Sequence, residues 1–505
     1  MSPAERRRWS RLGLAGVIVA FSGLGALYAT TVPKFLPADE TSHVGYALVA
    51  GHGDLPRLDT EVPDEVPGLA LQYEIRREIY TANHPPLYYV TVAAPLRLGV
   101  WSGHPVAGLM LARLLTVALT AVAAVAIWWT TRLLLPTRPG AAVLAAAMTL
   151  LLPAVPRFAG VVYNDGFSMT VAALAVLATG RILVLGPSRG RLVAVAAAAA
   201  ALALTRAVGL PASALVGMGT AAAFLVHDHR STGARTARAV GAGAAVVAAA
   251  GVASGWFWLR SRSLYGDIAG STYNLRRFGY GRRGSTLELL PDPHWATTLA
   301  RQLWGRVYDS AEYATGRGAL PGLLIAAMVA AGALVLLARA ARHRPRPGRD
   351  LWAAWPPDDR GRAITWCVLV VWVGLLYVST ISYIASGGGV HGRYLLPGLP
   401  AAAVLAAASV DALPGRRWAV APIVTVTVLT TTGLVWAARF ADLLRPDASW
   451  WGAAMAATAS DANGMPAPAV GAAIVLAVVG TGITAAALFR LSPAPRAADE
   501  ACLVD

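Results

Sequence analysis

Leu12-Gly-Leu-Ala-Gly-Val-Ile-Val-Ala-Phe-Ser-Gly-Leu-Gly-Ala-Leu-Tyr-Ala-Thr-Thr-Val32 carries no charged side chain, and this stretch decides the fold class. Crossing the hydrocarbon of a bilayer takes roughly 20 mostly apolar residues in a helix. Arg6, Arg7, Arg8 and Arg11 precede the stretch, as they would in a secretory signal. It is long for a signal and has no convincing cleavage site, so it reads as a retained anchor with a cytoplasmic N-terminus. Working outward, apolar windows recur between arginine-bearing turns near 113–135, 140–159, 167–185, 191–206, 209–226, 240–259, 319–339, 363–384, 394–411, 418–438 and 468–489. About twelve transmembrane helices are therefore expected. A chain in lipid must satisfy its backbone within helices or a closed barrel. Long Ala/Val/Leu runs lack the alternation of a barrel, so the class is all-α and polytopic.

The composition agrees. Of 505 residues 56% are hydrophobic and only 14% charged, with a mean hydropathy of +0.54, too apolar for a soluble protein. The formal charge is +16, and Lys34 is the only lysine. Such a basic chain could suit nucleic acid, but most of the arginines sit in short loops between apolar windows, where the positive-inside bias accounts for them. No nucleic-acid partner is expected. Threaded from a cytoplasmic N-terminus, Arg132 and Arg138, the turns at Arg181–Arg191 and Arg230–Arg238, the Arg342–Arg349 loop, Arg416, Arg417 and Arg490 all fall on the cytoplasmic side. Cys367 lies in an apolar run and Cys502 in the tail, which supports no disulfide framework.

The whole chain, 1–505, reads as a single integral-membrane domain without a separate soluble one. Residues 33–112 form a first extracytoplasmic loop with amphipathic helices, holding nine of the 27 acidic residues. Within it the segment 84–98 is short and interrupted by prolines, so it is expected to lie at the outer interface. Residues 260–318 form a second long outer loop rich in arginine, including Arg276, Arg277, Arg282, Arg283 and Arg306, and call for an anionic partner.

Chemistry is expected where charge sits at helix mouths, because ionisable groups near hydrocarbon are costly. Asp39, Glu40 and His43 follow the first span, with Asp39 and His43 on one helix face. The plain alternative for Asp39 is an N-terminal cap. Asn164-Asp165-Gly166 links the third and fourth spans on the same side, and is equally a turn sequence. Gly387-Gly-Gly-Val-His391-Gly-Arg393-Tyr394 opens the tenth span. Glycines beside an arginine suit an anion, the guanidinium binding phosphate in a fork, although interfacial Arg and Tyr are also ordinary anchors. His84-Pro-Pro-Leu-Tyr88 could line a cleft or begin an amphipathic helix, and Arg260 through Tyr265-Gly-Asp267 could be a phosphate-proximal turn or a helix end. His227-Asp-His229 is too sparse for zinc. There is no Walker loop or dinucleotide fingerprint, hence no nucleotide cofactor.

With these motifs in order, Pro37-Ala-Asp39-Glu40-x-x-His43, His84-Pro-Pro-Leu-Tyr88, Asn164-Asp165, Arg260 to Tyr265-Gly-Asp267 and His391-Gly-Arg393-Tyr394-x-x-Pro397, the chain resembles the GT-C superfamily of integral-membrane glycosyltransferases. It looks most like bacterial relatives of protein O-mannosyltransferases and lipid A aminoarabinose transferases. The resemblance implies an extracytoplasmic active site in the bacterial plasma membrane, a polyprenyl-phosphate sugar donor, and an acceptor that is a glycan, lipid or protein. Asp39 would be the general base, with Glu40 beside it and Asp165 as a second carboxylate. Arg393 would hold the donor phosphate, and His43, His84, Tyr88, Asn164, Arg260, Tyr265, His391 and Tyr394 would line the donor site. A hexose or pentose would be moved by inverting single displacement. A divalent metal between Asp39 and Asp165 stays open, since two carboxylates alone do not establish one. Two other classes fit part of the pattern: a twelve-helix secondary transporter, and a polymerase or ligase of lipid-linked glycans in which the loop arginines would act.

Overall fold

The computed structural model describes residues 1–35, 39–66, 78–304, 320–342, 355–413, 420–442 and 468–492. Among them the only extended pairing is one isolated bridge between Glu61 and Glu78. Helix α1 (Pro3–Thr31) leads through a linker to α2 (Glu40–Gly51) and, after a second irregular stretch, to α3 (Leu87–Trp101). Then come α4 (Pro105–Leu134), α5 (Pro139–Leu150), α6 (Ala154–Ala159), α7 (Asn164–Leu185), α8 (Arg189–Ala203), α9 (Gly209–His227) and α10 (Thr232–Tyr265). Three short helices follow, α11 (Ser271–Arg277), α12 (Thr286–Leu289) and α13 (Pro293–Trp304). The chain finishes with α14 (Leu320–Arg342), α15 (Pro357–Ala385), a 3-10 turn (Gly392–Gly398), α16 (Leu399–Asp411), α17 (Val420–Asp442) and α18 (Pro468–Leu491).

The start of α1 shows how local chemistry sets these boundaries. The Ser2 hydroxyl accepts from the Glu5 amide at 3.1 Å while the Glu5 carboxylate accepts from the Ser2 amide at 2.6 Å, and Pro3 fills the first helical position. Among the described residues eight helices are long and apolar enough to cross a membrane: α1, α4, α7, α9, α10, α15, the unit Gly392–Asp411 and α18. The other four apolar windows are also helical, and two of them are shorter or broken. Residues 140–159 split into α5 and α6 because Pro153 and Pro156 cannot donate the helical hydrogen bond, and the 191–206 window ends at Ala203. Helices α14 and α17 each run 23 residues and cover nearly all of the 319–339 and 418–438 windows.

One boundary differs from the sequence reading in a way that affects the site. Helix α10 does not stop at 259; it continues to Tyr265 and ends on Gly266, whose left-handed φ of 83° suits a glycine cap. Arg260, Arg262 and Tyr265 therefore belong to a helix, and the second loop begins at Gly266. In α3, Tyr88 and Tyr89 are fully buried against α2 and α4, while Val90, Leu98 and Trp101 face outward.

The first and last of these helices pack along a seam of small residues. A Cβ on Gly23 would meet the Ala477 amide at 2.4 Å, and one on Gly480 would meet the Ala20 amide at 2.2 Å. In lipid, where apolar burial drives little, such close backbone approach is a main source of helix association. The arginine-bearing turns gather at one end of the bundle. There Arg490 lies 5.6 Å from the Trp9 ring and Arg138 Nε lies 3.5 Å from Asp411. The 343–354 loop with its arginines, together with Arg306, Arg416, Arg417 and Cys502, is outside the described residues. The opposite end carries α2, α3, the start of α7, the α8–α9 turn and the 3-10 turn. That end holds the candidate site.

Candidate active site

Asp39 occupies the N-cap position of α2, yet its side chain makes no capping bond. The carboxylate is turned elsewhere. One oxygen accepts from the Tyr80 hydroxyl at 2.7 Å, and the other is ion-paired with Nη2 of Arg393. The Asp39 amide donates to the Tyr163 hydroxyl at 3.0 Å, which fixes the residue from behind. Burial alone would push this carboxyl up; the Arg393 charge, helped by His43 and by the hydrogen bonds from Arg393 and Tyr80, holds it well below the usual carboxylate range.

Arg393 is delivered by the 3-10 turn, where Pro397 and the following Pro400 interrupt regular winding. Its guanidinium lies 5.0 Å from the Tyr163 ring and 5.7 Å from each of the Tyr394 and Phe158 rings. These faces favour a cation. Its Nε is buried with no protein partner. His391 packs edge-on to Tyr394 at 5.5 Å. The glycines before it are fastened rather than open: Arg283 Nη1 donates to the carbonyls of Ile384 and Gly388, and Gln302 bridges Val390 and the Gly392 amide.

A second charge pair stands beside the first. Asp165, in the first turn of α7, accepts from Arg206 Nη1 at 2.5 Å through one oxygen; the other oxygen is buried without a protein partner. Asn164 is fully buried, and neither its amide nitrogen nor its amide oxygen has a protein partner. His43 sits between these groups, its ring 4.8 Å from Tyr163 and 6.3 Å from His84, with Nδ1 2.9 Å from the Tyr89 hydroxyl. It feels both carboxylates and both guanidiniums. Burial dominates and pulls its pKa down to about 3; burial and the nearby arginines lower that of His84 as well. Both imidazoles are neutral near pH 7.

The structure thus brings together Asp39, His43, His84, Asn164, Asp165, His391, Arg393 and Tyr394. It does not bring Glu40, Tyr88, Arg260 or Tyr265 to them. Glu40, expected as a second catalytic carboxylate, is fully buried and ion-paired with Arg113, at 2.8 Å to Nε and 2.6 Å to Nη2. It also accepts from the Phe35 and Val162 amides, each at 3.0 Å, so its acceptor sites are taken. Arg113 in turn donates to the carbonyls of Ala29 and Val32 at the end of α1. Tyr88 bonds Thr116 at 2.8 Å in the α3–α4 seam. Arg260 binds the carbonyls of Leu55 and Pro56, and the Tyr265 hydroxyl accepts from the Leu58 amide, so both staple the first loop instead of meeting a donor. Asp267 caps α11 by accepting from the amides of Ala269, Ser271 and Thr272.

Arg206, Tyr80 and Tyr163 were not anticipated as site residues. Arg206 had a signal: it is an arginine on the side of the bundle opposite the basic turns, against the charge bias that explains the others. Among the described residues no group of three or more His, Cys, Asp and Glu side chains converges on one point, and Asp39 and Asp165 each already face an arginine.

The chain matches no protein-family model and no curated protein. Among the solved structures that resemble it are two of ArnT from Cupriavidus metallidurans, one bound to undecaprenyl phosphate and one in the apo state. The first is 16% identical with a TM-score of 0.48, covering 96% of this chain and 77% of that one. The second is 17% identical with a TM-score of 0.49, covering 97% and 78%. The likeness is one of general helical architecture, and the functional reading rests on this chain's own residues.

Proposed function

We propose that this protein is a membrane glycosyltransferase that moves a sugar from a polyprenyl-phosphate donor to an acceptor hydroxyl on a glycan, lipid or protein. The observation that carries the reading is the state of Arg393. One of its nitrogens holds Asp39, while its buried Nε has no protein partner. An anionic phosphate oxygen is the group such a donor takes best, and binding it there sets the sugar beside an ionised carboxylate.

The step follows. Arg393 holds the phosphate that links the lipid to the anomeric carbon. Asp39 accepts the proton of the acceptor hydroxyl as its oxygen bonds to that carbon. The bond from the carbon to the phosphate oxygen breaks, its electron pair leaves with the polyprenyl phosphate, and Arg393 stabilises the growing charge. Attack opposite the leaving group inverts the anomeric configuration. His43 and His84, being neutral, orient groups rather than add charge. Tyr80 and Tyr163 hold Asp39 in line, and Glu40 with Arg113 anchors the linker that carries it. We place the site on the extracytoplasmic face of a bacterial plasma membrane, framed by 33–112 and by the loop that starts at Gly266.

The test is to incubate purified protein with radiolabelled polyprenyl-phosphate hexoses and pentoses plus a crude envelope acceptor fraction. Transfer that is lost in Asp39→Asn supports the reading. Transfer retained in that variant, or solute uptake by vesicles that transfer no sugar, overturns it in favour of another enzyme centre or a carrier.

A further inference from the structure

Resting on that reading, the inventory of unsatisfied atoms narrows what the donor must carry. Among the described residues three side chains in the site have buried polar atoms without protein partners: Arg393 through Nε, Asp165 through one carboxylate oxygen, and Asn164 through both amide atoms. Asn164 is 0% exposed and Asp165 is 1% exposed. Leaving such atoms unmade costs more than the bonds themselves return, so they call for a ligand that supplies the complement. Arg393 needs an anionic acceptor. Asp165 needs a hydrogen-bond donor. Asn164 needs one donor and one acceptor, which is what a single hydroxyl offers.

We infer that Asp165 and Asn164 form a hydroxyl-reading subsite that recognises neighbouring free hydroxyls of the transferred sugar. Asp165 is thereby a specificity residue and not a second base. Arg206 makes the arrangement directional. By donating to one carboxylate oxygen at 2.5 Å it leaves the other oxygen as the acceptor. Asn164 precedes Asp165 at the start of α7, and Tyr163 before them bonds the Asp39 amide, so base and subsite are held in one rigid frame. A carboxylate beside a carboxamide suits two hydroxyls on adjacent carbons. It does not suit a deoxy position, which would leave the carboxylate without a donor.

The experiment compares a polyprenyl-phosphate sugar with its single-deoxy analogues, each measured as kcat/KM in one preparation, so that the ratio does not depend on the fraction folded. The wild type is expected to prefer the parent over one or two of the deoxy donors by about 10- to 100-fold, as for a hydrogen bond to a charged group. In Asp165→Asn, and separately in Asn164→Leu, the ratio for that position should fall towards one. Unchanged ratios in both variants overturn the subsite and leave those atoms to a buried water. If neither variant folds, the wild-type series decides alone: no deoxy position costing more than about twofold also overturns it. Failure of the parent reading looks different, because Asp39→Asn would then retain transfer.

Discussion

Asp39 and Arg393, 354 positions apart in the chain, meet in one ion pair at the end of the bundle opposite its basic turns. The pair joins the linker after α1 to the turn before α16. Removing the acid without altering its shape should leave the fold standing and the chemistry nearly absent. We expect Asp39→Asn to lower kcat by about 10²–10⁴-fold, the usual contribution of a general base, in a protein that still folds in detergent although it loses the stabilising ion pair.

The pair also sets a pH dependence. Because the folded carboxyl lies below its ordinary value, Asp39 is ionised throughout the neutral range, and its stabilising contact persists until the pH falls well under about 3.9. The acid limb of kcat/KM should therefore lie below the usual carboxylate range. In Arg393→Gln burial remains while the compensating charge is gone, so the limb should move up. In the wild type the limb of kcat should lie above that of kcat/KM, since the bound phosphate competes for the guanidinium. Coincident limbs in wild type and Arg393→Gln would contradict the assignment.

Glu40 should behave as a structural residue. It and Arg113 are both 0% exposed, and removing one partner of such a pair strands the other, at a cost of about 3–5 kcal/mol. Glu40→Gln and Arg113→Met should each lower the unfolding temperature more than Asp39→Asn does, because the Asp39–Arg393 pair keeps some exposure. Thermal unfolding of the three proteins under one set of conditions checks the contrast.

The α1–α18 seam makes a packing prediction. Gly480→Leu would drive a side chain into the Ala20 backbone and should separate the helices, whereas Gly482→Ala meets nothing within 4 Å and should be silent. Yield of monodisperse protein after detergent extraction reads both.

Much of this was legible in the chain because bilayer hydrocarbon imposes a one-dimensional code. Uncharged windows had to be helices, and alternating charge placed Asp39, Asp165 and Arg393 at the same end. What escaped depends on direction and partners. Asp39 and Glu40 are neighbours in sequence, but adjacent helical residues point about 100° apart. One faces the site and the other faces Arg113. No local pattern announces that divergence. The prolines at 153 and 156 were visible, but an apolar window counts a proline-broken pair of helices as one. Likewise the arginines at 260 and 262 closed a hydropathy window while the helix itself ran on to Tyr265, because a helix end is set by capping and not by polarity.

The seam between α1 and α18 also bears on biosynthesis. Gly16 and Gly23 leave the ribosome long before the face they contact, Ala473 to Thr484. Until then the notched side of the opening helix has no neighbour to fill it. A translation stall or truncation before residue 468 would strand that helix unlatched, the kind of defect that membrane quality-control proteases recognise.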